Sequence, residues 1–172
     1  MKEIKEGLNI KTKFITDRFK GALTDEQRKA YLAGKLKPYK SVVSEGNLGL
    51  NEGINNVLDL IFGLATPTKW DNANARIGVG DSDAAEVATQ TGLQAATNKT
   101  WKPMMTSYPQ RTAQTVELRA EFGLTDANYA WNEGTIVNAA DDSGQNLNRK
   151  VTAQGTKPNT ETWIARFQLT VS

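Results

Sequence analysis

The sequence has 172 residues, of which 38% are hydrophobic, and it contains neither cysteine nor histidine. A single domain of this size buries about 70% of the surface that its unfolded chain exposes, so it can fold without disulfides or metals. The missing residue types remove disulfides, thiolate chemistry, the commonest general base and the commonest metal ligand. Most enzyme mechanisms are therefore disfavoured, and the sequence has no run of eighteen apolar residues that would cross a membrane.

Charge is distributed unevenly, although the formal net charge is only +2. Residues 1–45 carry eleven lysines and arginines against six acids, whereas residues 46–172 carry ten against thirteen. The N-terminal stretch has no apolar segment or cleavage motif of a secretory signal, so we expect synthesis in a cytoplasm. A basic segment joined to a mildly acidic body suggests an arm that contacts an acidic partner, and a solvated surface segment explains the charge equally well.

Residues 1–45 are predicted to form an extended N-terminal arm with one short helix. Thr24, with Gln27 three positions later, fits a capping box at the helix start, and Gly34 is placed to end the helix. The flanking stretches show no long periodicity, which favours extended chain. The expected partner contacts of this arm are two lysines and four aromatic residues: Lys11, Lys13, Phe14, Phe19, Tyr31 and Tyr39.

A second helix is predicted at about residues 50–62. Its apolar residues recur at helical spacing, and Gly63 supplies a C-terminal stop. We expect this apolar stripe to pack against the core of the domain, although a helix that binds a partner would show the same stripe. The stripe consists of Leu50, Ile54, Val57, Leu58 and Ile61.

From residue 70 onward, patterns of period two predict strands. TVELRAEFG and ETWIARFQLTV alternate apolar with polar residues, and NYAWNEGTIVN and NLNRKVTAQ read as two strands between them. RIGVG and the region of Trp101 add further strands within long polar connections. The sequence therefore predicts a mainly β domain over residues 46–172, an antiparallel sandwich or small barrel with jelly-roll or Greek-key-like connections and one packed helix.

The stretch WDNANARIGVGDSDAAE is the one that most resembles a ligand-binding loop, yet it fits neither known pattern. A dinucleotide fingerprint needs glycine where Asp83 stands, and a calcium loop needs glycine where Glu86 stands. A strand followed by a capped turn or short helix explains the stretch without a ligand. Asp71, Asp81 and Asp83 are kept as weak metal candidates, and no cofactor is expected.

Two further kinds of site are weighed. Glu117, Glu121 and Glu133 could supply the paired carboxylates of a glycosidase, but the first two lie on the expected solvated face of a strand. Trp101 is the best aromatic candidate for an exposed contact, although packing on its own sheet is the commoner role for such a residue. We therefore expect no catalytic residue.

Several stretches occur in one order along residues 46–172 and together carry a resemblance: GNLGLNEGINNVLDLI, NANARIGVGDSDAAEVATQTGLQAATNK, NYAWNE, NLNRKVTAQGTK and a terminal TW strand. The chain resembles a family of small virion proteins of tailed bacteriophages. The resemblance implies a structural role similar to that of head decoration or cement proteins, which often form trimers and bridge capsid subunits.

The partners that the resemblance implies are the major capsid protein and further copies of the chain, with a trimer favoured and with neither nucleic acid nor membrane. The expected location is the virion. A tail-fibre or receptor-binding tip that contacts host glycans is the alternative, and a cell-wall glycosidase ranks last.

Overall fold

The computed structural model describes residues 10–172, which form ten strands and two helices. Within these residues no helix is long and apolar enough to cross a membrane. In chain order the elements are β1 (Ile10–Lys20), α1 (Asp25–Leu32), β2 (Lys40–Glu45), β3 (Leu48–Gly49), α2 (Asn51–Phe62), β4 (Arg76–Gly80), β5 (Lys99–Pro103), β6 (Gln110–Thr112), β7 (Thr115–Phe122), β8 (Ala130–Val137), β9 (Asn146–Thr156) and β10 (Glu161–Val171).

The strands form two antiparallel sheets of five strands each, which pack face to face. The first sheet has the order β2-β1-β10-β7-β6, and the second has the order β3-β9-β8-β4-β5. Each sheet ends in two edge strands, so the fold is a sandwich and not a closed barrel. The four predicted C-terminal strands are confirmed. β8 and β9 form a hairpin in the second sheet, whereas β7 and β10 pair with each other in the first.

The core lies between the two sheets and follows the alternation seen in the sequence. The inner face of β10 buries Trp163 and Phe167 completely. Phe167 stacks on Phe14 of β1 with ring centroids 4.5 Å apart. Trp131 of β8 packs edge-to-face on Trp163, with centroids 4.9 Å apart. Pairs of this kind add about 0.5–1.5 kcal/mol beyond their buried area.

The predicted N-terminal arm is corrected by the structure. β1 pairs with β10 along its whole length and with β2 on its other side, so residues 10–45 are part of the sandwich. The boundary expected near residue 45 does not separate an arm from a domain. β1 is buried on both faces, since Phe14 faces the second sheet and Phe19 faces α1, and a strand covered on both sides loses its period-two pattern. Residues 1–9 of the predicted arm lie outside the described residues.

The predicted short helix is confirmed as α1, which covers the outer face of the first sheet. The Thr24 hydroxyl accepts a hydrogen bond from the Gln27 N–H, and the Gln27 side chain accepts one from the Thr24 N–H. Tyr31 packs edge-on against Phe19 and donates its hydroxyl proton to Asp17 at 2.5 Å. Burial, reinforced by the charge of Asp17, raises the pKa of Tyr31.

Candidate docking surface

α2 lies across the end of the sandwich at which β1 begins and β10 ends. It packs on β9 through a small and polar face. A Cβ atom added to Gly53 would stand 2.4 Å from the Cα of Leu147. Asn56 is buried on the same face and donates a hydrogen bond to the Thr68 carbonyl at 3.2 Å. The helix therefore meets the strand backbone to backbone.

The apolar stripe of α2 is turned away from this contact. The exposed fraction is 47% for Ile54, 44% for Leu58 and 67% for Ile61. Val57 is half-buried, and of the five predicted stripe residues only Leu50, at the helix cap, is fully buried. The expectation that this stripe packs in the core is therefore wrong. The physical reason is that the glycine on the neighbouring face allows a closer approach to β9 than any large side chain would.

The stripe forms one wall of an open groove of about 450 Å³. Ile10, Thr12 and Leu169 of the first sheet form the facing wall. By strand alternation these three residues share the inner face that carries Phe14 and Phe167 into the core. The groove is therefore the end of the hydrophobic core, which no other part of residues 10–172 covers. Its eleven described lining residues include no charged side chain.

Exposed apolar side chains extend the groove in both directions. Val171 pairs with Ile10 beside the groove and is 37% exposed. Phe62 and Leu64 follow Ile61 along the chain and are 68% and 74% exposed. The groove together with Phe62, Leu64 and Val171 is called the docking surface below. Single exposed apolar residues are ordinary, but a set of neighbouring ones often has a binding function.

Three of the predicted arm contacts are unavailable to a partner. Phe14, Phe19 and Tyr31 are buried, with at most 6% of each residue exposed. Phe14 belongs to the main core, and the other two belong to the small core under α1. Their aromatic character reflects packing within the domain.

The other three predicted arm contacts lie on the surface without forming a common patch with those aromatic residues. Tyr39 is half exposed and donates its hydroxyl proton to Glu161 at 2.7 Å. Lys13 pairs with Glu45 at 3.2 Å. Lys11 is exposed. Exposed ion pairs of this kind contribute only about 0–1 kcal/mol.

Trp101 packs on its own sheet and is half-buried. Its indole lies over Gly78, where an added Cβ would stand 2.6 Å from the ring. The indole N–H donates to the Asp142 carboxylate at 3.2 Å. Burial raises the pKa of Asp142 to about 6, against the opposing effects of a hydrogen bond from the Leu93 N–H, the charge of Lys99 and the hydrogen bond from the indole. Trp101 thus packs on its own sheet, which is the commoner role for such a residue.

Glu133 is completely buried and holds the long connection after β4. It pairs with the equally buried Arg149 at 2.7 Å. It also accepts hydrogen bonds from the backbone N–H groups of Gln94 and Ala95, and Arg149 donates to the Ala84 carbonyl. Residues 81–98 contain no helix, so irregular chain with a turn at residues 88–89, and not a short helix, follows β4. The ion pair anchors this connection to the sheet.

The other two candidate carboxylates also form ion pairs with arginine side chains. Glu121 accepts two hydrogen bonds of 2.7 Å from Arg28. Burial opposes ionisation of Glu117, but hydrogen bonds from Arg166 and its neighbours outweigh it, and the pKa of Glu117 is lowered. A glycosidase needs a carboxyl group whose pKa is raised so that it can act as general acid. The pKa shift of Glu117 has the opposite direction.

The weak metal candidates are not gathered into one site. Asp71 precedes β4 and Asp81 follows it, so a strand of roughly 16 Å separates them. Asp71 accepts a hydrogen bond from the Asn74 side chain, and Asp81 accepts one from Asn98. Between residues 10 and 172 no group of three or more metal-ligating side chains is close enough to hold an ion.

The docking-surface residues outside the stripe of α2 were not predicted from the sequence. Ile10 and Leu169 come from opposite ends of the chain, and no local pattern joins them. Phe62 and Leu64 could have been recognised in the sequence, because they add apolar residues outside the single stripe of α2. A helix whose apolar residues exceed one stripe has more hydrophobic surface than a single packing contact covers.

Comparisons with known proteins find no match to this chain among protein-family models, curated proteins or solved structures.

Proposed function

We propose that this chain is a structural protein of a tailed-phage virion, most specifically a head decoration protein, and that it works by assembly and not by catalysis. The observation that carries the proposal is the uncharged, solvent-exposed docking surface at α2. The ordered motifs of residues 46–172 that resemble phage virion proteins supply the virion context. The proposed partners are the major capsid protein and further copies of the chain, with the trimer that the resemblance favours.

The docking surface takes over the role that the sequence analysis gave to the arm. Burying a large aliphatic or aromatic side chain contributes about 1.5–3 kcal/mol, whereas an exposed lysine pair contributes about 0–1 kcal/mol. Three of the four arm aromatics are already buried within the domain, whereas the apolar stripe of α2 is exposed. Assembly through this surface therefore depends little on salt concentration.

The two alternative functions receive less support. The aromatic residue expected to contact glycans is Trp101, and its indole is packed on Gly78 with its N–H already bound to Asp142. A glycosidase would need two accessible carboxyl groups beside a groove. Glu133 is completely buried, and the other two candidates, Glu121 and Glu117, are paired with Arg28 and Arg166.

The test is a binding experiment with phage heads assembled without this protein. Purified protein is expected to bind them saturably, and electron microscopy is expected to place it on the head. Heads that already carry the protein are the matched control, and they should take up no more. If the protein does not bind deficient heads, or binds only tails, the head decoration proposal is wrong.

A further inference from the structure

We infer that the docking surface is where copies of this chain meet, so that the assembling unit is a homo-oligomer held together through α2. The inference rests on the proposed function, because it names the partner that covers the surface. Three observations support a second copy as the occupant: the exposed area, the absence of charge and the spacing of the apolar residues along α2.

The exposed area is close to what a specific protein contact needs. The exposed fractions of the apolar residues on the docking surface add up to about four complete residues, or roughly 250–500 Å² of apolar area at about 60–120 Å² each. A standard specific interface buries about 800 Å² on each partner, with a polar rim around its apolar centre. The docking surface thus supplies the apolar centre of one such interface. These residues are Ile10, Ile54, Leu58, Ile61, Phe62, Leu64 and Val171.

The absence of charge favours a second copy over a charged partner. Charged residues make up 23% of the chain, but none lines the described groove. Surfaces that recognise a different protein normally use complementary charges to select it. An uncharged apolar surface meets itself without repulsion, and permanent contacts between identical subunits are more apolar than transient ones.

The geometry of α2 is also self-compatible. Ile54, Leu58 and Ile61 follow the spacing i, i+4 and i+7, which forms a ridge along one side of the helix. Ridges of this kind pack against one another in helix pairs and bundles. The ridge can meet a second ridge across a two-fold axis or converge with two others on a three-fold axis.

Sedimentation equilibrium of the full chain at micromolar concentrations tests the inference. The wild-type protein is expected to be a dimer or trimer. Ile61→Ser is expected to weaken self-association at least about tenfold, because one central apolar side chain is lost from every copy. Ile61 is 67% exposed, so the variant should fold normally, which circular dichroism checks.

Val43→Ser is the matched control. Val43 is also apolar, and its exposed fraction is 54%. It belongs to β2, where it pairs with Ile15 of β1, and it lies away from α2. This variant is expected to associate as the wild type does. Loss of association in both variants would mean that general hydrophobicity, and not the docking surface, joins the copies.

The remaining outcomes separate the inference from the proposed function. A monomeric wild-type protein, or an oligomer unaffected by Ile61→Ser, overturns the inference. If the monomer binds deficient heads and Ile61→Ser abolishes that binding, the surface belongs to the capsid subunit and the proposed function stands. If the oligomer forms through α2 but does not bind heads, the inference stands and the proposed function fails.

Discussion

Gly53 fixes how α2 sits on β9, so its replacement tests the position of the docking surface. In an exposed helix interior, glycine to alanine stabilises by about 1 kcal/mol. Here the added methyl group would stand 2.4 Å from the Cα of Leu147 and 2.5 Å from the carbonyl oxygen of Asn146. Both atoms belong to the backbone, which cannot rotate aside as a side chain can. The substitution must therefore displace the helix.

We expect Gly53→Ala to lower the free energy of unfolding by roughly 1–2 kcal/mol. Overpacking costs about 1–3 kcal/mol, a clash with backbone lies at the upper end of that range, and the gain in helix propensity of about 1 kcal/mol offsets part of it. Urea unfolding measures the change as a lower midpoint with an unchanged slope.

Asn55→Ala is the matched control, because Asn55 is exposed on the same helix. It should raise stability by a few tenths of a kcal/mol. If Gly53→Ala proves as stable as the wild type or more stable, α2 does not pack on β9 through this glycine. The apolar stripe would then point elsewhere, and the docking surface would lose its structural basis.

The remaining predictions concern the core strand, the buried ion pair and one perturbed carboxyl group. In urea unfolding, Phe14→Ala is expected to cost about 3–5 kcal/mol of stability, because Phe14 is 1% exposed. Lys11→Ala on the same strand is expected to cost less than about 0.5 kcal/mol. Equal effects of the two substitutions would contradict the central position of β1. Glu133→Gln leaves Arg149 buried without a counter-charge, so the free energy of unfolding should fall by about 3 kcal/mol. Limited proteolysis should then cut the connection after β4 faster. An unchanged digest would contradict the role of the Glu133–Arg149 ion pair as an anchor for this connection. The pKa of Asp142 is about 6, above the usual 3.8, so the folded state favours the protonated carboxyl group. The contribution of Asp142 to the free energy of unfolding is therefore complete below about pH 4. It is lost as the pH rises to about 6, which lowers the free energy of unfolding by up to roughly 3 kcal/mol. Asp142→Asn should abolish this decline in a pH series of thermal unfolding, and a slope shared by both proteins would assign it to another group.

Elements whose signal is local could be predicted from the sequence. β7 alternates cleanly because its outer face carries Glu117, Arg119 and Glu121 while its inner face enters the core. α1 was recognisable because Thr24 and Gln27 cap it within one turn. In both cases the residues that determine the element lie next to one another in the chain.

β1 could not be recognised in the same way. Its outer face is covered by α1 and its inner face by the second sheet, so apolar residues occur on both sides. Basic residues such as Lys11 and Lys13 occupy its exposed beginning and suggested a solvated arm. The missing information was tertiary, since only the pairing with β10 shows that this strand is central.

Only one wall of the docking groove could be predicted from the sequence. The stripe of α2 was evident from its spacing, but its direction depended on Gly53, whose role is set by the backbone of β9. The facing wall of the groove comes from Ile10 and Leu169, which meet only through sheet pairing of the two ends of the described chain. Periodicity identifies an apolar face, but it does not identify what covers that face.

The pairing of Ile10 with Val171 also determines where foreign sequence can be attached. A peptide fused after Ser172 would emerge beside the docking surface and compete with the incoming partner for the same space. The exposed connection at residues 33–38 joins α1 to β2 at the other end of β1, roughly 25 Å away. An epitope inserted there would lie at the end of β1 remote from the docking surface, so it would leave that surface free.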